Sequence, residues 1–134
     1  MGDLLNDRAI RTLRYALDGL SLRQQAISNN VANLNTPGYK ASRVSFEQAL
    51  QRQLQETGGP ALTVTDSRHI GGADSTDAQA TVTQDTARSM RLDGNNVDLD
   101  WEMAKLAETV VNYNAVSELV SMKLAILKSV INAR

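Results

Sequence analysis

Cysteine is absent from this 134-residue chain, which excludes disulfides and thiolate metal sites and leaves the redox compartment open. The lone histidine, His69, cannot build a zinc site by itself. Aromatic residues make up only 4% of the chain, and much of the 42% hydrophobic content is alanine, so the supply of large core side chains is thin. Neither sign of charge dominates: the formal net charge of −1 gives no general pull toward nucleic acid or an anionic membrane. No apolar run approaches the ~20 residues of a membrane span. Near the N-terminus Asp3, Asn6, Asp7 and Arg8 interrupt any secretory hydrophobic stretch, so export by a conventional cleaved signal is not expected.

What the chain does hold is a run of backbone-seeking amides at a helix exit. Ile27, Val31 and Leu34 are spaced four and three apart, on one side of a helix. Asn29, Asn30, Asn33 and Asn35 are expected to crowd the rest of that surface, although asparagine prefers caps and turns to helix interiors. The pattern stops at Thr36, Pro37, Gly38 and Tyr39, where proline disfavours the helical conformation of the preceding residue and Pro-Gly suits a tight turn. The segment reads as a junction of specified geometry. A well-capped helix exit is the plainer reading of the same residues.

Long patterned ends flank a different middle. The three-four repeat Ile10, Leu13, Leu17, Leu20, Ile27, Val31 and Leu34, with only Gln24 polar, predicts an N-terminal helix over 1–36 with a coiled-coil seam. Asp7 with Arg11 and Arg14 with Asp18 are spaced to pair on its solvent side. Gly19 either costs about 1 kcal/mol relative to alanine or marks a close contact. At the other end Leu99, Met103, Leu106, Val110, Tyr113, Ser117, Val120, Leu124, Leu127 and Ile131 predict a C-terminal helix over 97–134, with Asp98 as its N-cap. A second stripe, including Val111, Val116, Leu119, Ile126 and Val130, widens the apolar face beyond what a two-helix seam needs. Residues 37–96 read as a turn, a short helix over 43–55 and an irregular or weakly β middle. In that middle, 61–65 and 79–83 are candidate strands. The fold expected is mainly α: long terminal helices packed as an antiparallel coiled coil around a small middle. The ends are expected to gain order on assembly.

Sites of chemistry are not found. The Asp93–Asp100 run looks like a calcium loop, but its fifth position is Val97 and no glycine follows at the sixth, so it reads as a linker and N-cap. Arg8, Arg11 and Arg14 read as a solvated helix face rather than a nucleic-acid stripe. Trp101 and Tyr113 read as core or interface packing. No catalytic, cofactor-binding or metal-binding residue is assigned.

The segment from Ile27 to Lys40, with Asn29, Asn30, Asn33, Asn35, Thr36, Pro37, Gly38 and Tyr39, closely resembles the N-terminal signature of the bacterial flagellar rod and hook proteins. Arg68-His69-Ile70, the Asp93–Asp100 run, the helix beginning at Glu102 and the short length are similar to the family's proximal rod members. Trp101 departs from the polar residue expected there. The resemblance implies a structural subunit of the basal-body rod in the periplasm, transmitting torque as part of a helical drive shaft, without catalysis or cofactor. It implies export through the flagellar type III apparatus. The partners implied are further copies of itself, other rod subunits, the rod–ring adaptor FliE, and the inner-membrane ring and export gate. The assembly interface expected comprises Ile10, Leu13, Leu17, Leu20, Ile27, Val31 and Leu34 on the first helix. On the second it comprises Met103, Leu106, Val110, Tyr113, Val120, Leu124, Leu127 and Ile131. Another short axial protein, or a helical oligomeric adaptor or regulator, would use the same terminal heptads.

Overall fold

The computed structural model describes residues 8–55, 80–86 and 91–132. In chain order the elements are α1 (Arg8–Ala32), β1 (Ser42–Ser45), α2 (Glu47–Gln55), β2 (Thr81–Gln84) and α3 (Leu99–Asn132). The candidate strand at 61–65, the glycine pairs of the middle, the Arg68-His69-Ile70 triplet and the Asp7–Arg11 pairing lie outside the described residues. Arg14 and Asp18 are not among the ion pairs of the described residues.

The chain is mainly α, as the two apolar repeats require, and α1 and α3 pack side by side. Their order is antiparallel. Asn30 near the end of α1 faces Glu102 near the start of α3. Further along, Tyr113 and Val116 lie against the core that holds Leu20. At 1.5 Å per residue the 34 residues of α3 extend on the order of 50 Å.

Two features depart from the sequence reading. The run after the turn splits: Ser42–Ser45 is a strand, antiparallel to β2 with Val44 opposite Val82, and only Glu47–Gln55 is helical. Glu47 starts that helix by accepting from the Phe46 amide through its own carboxylate (3.1 Å), which breaks the backbone direction at the strand's end. The candidate strand near 79–83 is realised as β2, with β1 as its partner.

The second departure is the rotational phase of α3. Its covered positions include Glu102, Leu106, Thr109, Tyr113, Val116 and Val120, four and three apart. Leu106, Tyr113, Val120 and Leu127 fall on the expected seam, but the alternate positions shift by one residue. Met103, Val110, Leu124 and Ile131 therefore point outward. The phase follows from what the polar side chains meet. Thr109 donates to the Lys105 carbonyl of its own helix (2.7 Å), so it can be buried satisfied, and Glu102 is drawn toward Asn30 and Arg43.

The apolar core is small: Leu20, Ala26, Val44 and Phe46, with Tyr15, Leu22, Leu50, Tyr113 and Val116 against it. Phe46, the only phenylalanine, lies edge-on to Tyr15 and beneath the Arg23 guanidinium, 4.7 Å from the ring centroid. Gly19 is where α1 admits that ring. A Cβ there would stand 2.5 Å from Phe46 Cγ, which resolves the open reading of this glycine in favour of close contact.

Candidate functional site

The amide-rich exit of α1 and the Asp93–Asp100 run, remote in sequence, form one interlocked junction. Helix α1 ends at Ala32, and the Asn33 side chain donates back to the Asn29 carbonyl (2.9 Å). The freed carbonyls at a helix end need donors, and buried ones are costly without them. Asn95 supplies these. Its Nδ2 donates to the carbonyls of Asn33, Leu34 and Thr36 at 2.9, 3.1 and 2.9 Å. Its Oδ1 accepts from the Val97 amide (2.7 Å). Asn96 accepts from the Ala41 amide (2.7 Å) and donates to the Asp85 carbonyl (2.8 Å), joining the same loop to the end of the hairpin. The Gly38 amide donates to the Asp93 carbonyl (2.8 Å), and Lys40 Nζ to the Gly94 carbonyl (2.9 Å).

Two glycines make this approach possible. Gly38 and Gly94 have φ of +73° and +75°, a region that costs other residues about 1–2 kcal/mol. They also pack together: a Cβ on Gly94 would lie 3.8 Å from Gly38 Cα.

Asn30 corrects the expectation that the asparagines sit on the helix surface. It is buried, its Nδ2 donating to the Ser42 carbonyl (2.9 Å) and its Oδ1 accepting from the Ser42 amide (2.8 Å) and Tyr39 Oη (3.3 Å). It clasps β1 to α1 as a neighbouring strand would. Asn29, Asn35, Thr36, Pro37 and Gly38 are exposed, and Asn33 and Tyr39 are half-covered. Asp98 is the N-cap of α3 as read, accepting from Asp100 (3.0 Å) and Trp101 (3.4 Å).

Charge is concentrated at the same end. Arg43 donates through Nε to Asp85 (2.9 Å), and its guanidinium lies 3.8 Å above the Trp101 ring; Lys105 lies 5.6 Å from that ring's centroid. Burial raises the Glu47 carboxyl, but hydrogen bonds from Arg23 and from the backbone of Glu47 and Phe46 outweigh it and hold it below its ordinary value. In the sequence Asn95 and Asn96 read only as part of the Asp93–Asp100 linker and cap, Glu102 only as the start of a helix, and Arg43 is not singled out as a site. The signal available was the second pair of adjacent asparagines beside a glycine, at 94–96, with no helix exit of its own to satisfy.

The residues expected at an assembly interface divide into two sets. Leu20 and Ile27 are buried inside the chain, and Ile10, Leu13, Leu17, Val31 and Leu34 are half-covered. On α3, Leu106, Tyr113, Val120 and Leu127 are half-covered, while Leu124 and Ile131 are 46% and 64% exposed and Met103 and Val110 are also open. Val111, Leu119, Met122, Ile126 and Val130 are exposed on a second stripe, away from the covered seam. A helix with a second apolar stripe, beyond the one its own chain covers, has surface left for further partners. No described helix is long and apolar enough to cross a membrane, and no described cluster of acids or histidine is suited to a metal.

Fold and site together define a helical assembly subunit: a polar junction that fixes the angle between elements, and a long helix whose apolar surface exceeds what its own chain covers. Comparison with known proteins makes this particular. Residues 10–40 match the family model of the flagella basal body rod protein. The chain is 38% identical to the flagellar basal body rod protein FlgB of Bacillus subtilis over 122 residues, which covers 91% of this chain and 92% of that one. It is 34% identical to the FlgB of Salmonella typhimurium, covering 80% of each chain. It is 31% identical to the FlgB of Borreliella burgdorferi, covering 83% of this chain and 86% of that one. The chain belongs to the FlgB family of flagellar basal body rod proteins.

Proposed function

We propose that this chain is a structural subunit of the proximal part of the bacterial flagellar rod and carries torque through interlocked helices. The observation that carries the reading is the apolar surface of α3 that its own chain leaves open. Repeated contacts related by a rotation that does not close generate a helical tube, and a helix that carries open Leu, Ile, Val and Met beyond the seam its own chain covers suits the wall of one. Met103, Val110, Leu124 and Ile131 are the contacts proposed to meet neighbouring subunits, with Ile10, Leu13 and Leu17 completing the seam. The partners proposed are further copies of this chain, other rod subunits, the adaptor FliE, and the inner-membrane ring and export gate. Location in the periplasmic rod and delivery by the flagellar type III apparatus follow from the same reading. No reaction is assigned to the chain.

Leu124→Asp tests this reading. Because Leu124 is open to solvent within the chain, the substitution leaves the isolated fold intact but puts a charge at an enclosed contact, where it costs several kcal/mol. The expected result is loss of rod assembly and motility with an unchanged urea midpoint for the purified chain. Motile cells carrying Leu124→Asp would overturn the assignment.

A further inference from the structure

Among the described residues four polar side chains are almost wholly withdrawn from solvent: Asn30 (1% exposed), Asn95 (0%), Glu102 (1%) and Thr109 (2%). Three have their hydrogen bonds met by backbone groups, as described above. Glu102 differs. Its Oε2 has no hydrogen-bond partner among the described residues. The cation facing it, Arg43 of β1, is engaged elsewhere, with Nε on Asp85 and its face on Trp101; its Nη1 is likewise buried and unpartnered. The other groups facing Glu102 are the neutral amide of Asn30 from α1 and the like charge of Asp98 from the cap below.

We propose that docking of α3 against α1 and β1 takes up a proton at Glu102, making the closed junction a proton-linked latch. A carboxylate with one oxygen buried and unpartnered bears the desolvation cost of a full charge, whereas the carboxylic acid does not. Burial pushes the Glu102 carboxyl above its ordinary value. Asn30 and Arg43 pull it down, Asp98 pushes it up, and the balance is upward. When α3 is undocked Glu102 is solvated and titrates ordinarily. Between the ordinary and the raised value the docked state therefore holds more protons. Docking strengthens as pH falls through that window, weakens as pH rises through it, and is at its weakest and flat above the raised value. Glu47, held low, contributes stability that is lost only below the ordinary value, so it does not mask the effect.

Trp101, the only tryptophan, lies beneath Arg43 and reports this junction by fluorescence. Urea titrations of the full chain from about pH 8 to about pH 4, across the ordinary carboxylate value and the range above it, should show the docking constant rising by up to about tenfold per pH unit within the window. Glu102→Gln, an uncharged mimic of the acid, should have a higher midpoint than the parent at the alkaline end. Subtracting the variant's pH dependence from the parent's removes the contribution of His69. A difference that is flat with pH would overturn the proposal. A second readout needs no variant: in the parent chain labelled at glutamate carboxyl carbons, one of the five glutamates should titrate above the rest. Five resonances at or below the ordinary value would overturn the proposal even if Glu102→Gln failed to fold.

Discussion

At the scale of single residues, the junction rests on side chains that imitate backbone. Asn95 does for the end of α1 what a further turn of helix would do, offering one amide to three carbonyls. Asn30 does for β1 what an adjacent strand would do, with one donor and one acceptor on Ser42. A carboxylate has the same shape as the Asn95 amide but only acceptors, so the two substitutions at this position separate shape from donation. Asn95→Ala leaves buried carbonyls unsatisfied and should lower stability by about 1–3 kcal/mol. Asn95→Asp should lose more at neutral pH, because it aims a negative charge at the same carbonyls, and should recover in part as acid protonates it. Urea denaturation followed by helical circular dichroism checks both. Equal loss in the two variants would mean that the amide hydrogen bonds contribute little.

At the scale of elements, what was legible depended on how local the cause was. The repeats of α1 and α3, the Asp98 cap and the stop at Pro37-Gly38 are set by near neighbours in the chain, and each was readable. β1 was not, since Val44, Phe46, Ala49, Leu50 and Leu54 fit a helix as well as a strand followed by one. The pairing that decides it comes from residues 81–84, almost 40 positions away. The phase of α3 was unreadable for the same reason: Met103 and Val110 are better seam residues than Glu102 and Thr109 unless Asn30 and Arg43 are already in place. Gly19 shows the effect most sharply. Helix propensity alone says that Gly19→Ala gains about 1 kcal/mol. The Phe46 ring, 2.5 Å from the added methyl, says that it costs about 1–3 kcal/mol through overpacking. Packing should win, giving a net loss in the urea midpoint, and Phe46→Leu should be less harmful in the Gly19→Ala background than in the parent. Additive effects of the two substitutions would mean that the ring and the helix yield independently.

At the scale of the whole molecule, the two halves of α3 do different work. Its first half is bound by the junction and the small core, whose last contributor on this helix is Val116. Beyond Val120 the helix carries Leu124, Ile126, Val130 and Ile131 in the open, with only Lys123 and Leu127 half-covered. Stability is thus gathered at one end, while open apolar surface runs along the helix to the other. Such a division lets a subunit hold its own bend rigidly while its far end is completed by neighbours. Deleting residues 125–134 distinguishes this arrangement from a uniformly cooperative helix pair. The truncated chain loses one half-covered leucine, on the order of 1 kcal/mol, so its Trp101 signal and urea midpoint should stay close to the parent's. Incorporation into basal bodies should be abolished, since Ile131 of the proposed contacts is gone together with the exposed Ile126 and Val130 beside it. A collapsed midpoint would show that the far end stabilises the chain itself, and retained motility would show that the contacts driving assembly lie on the first half of the helix.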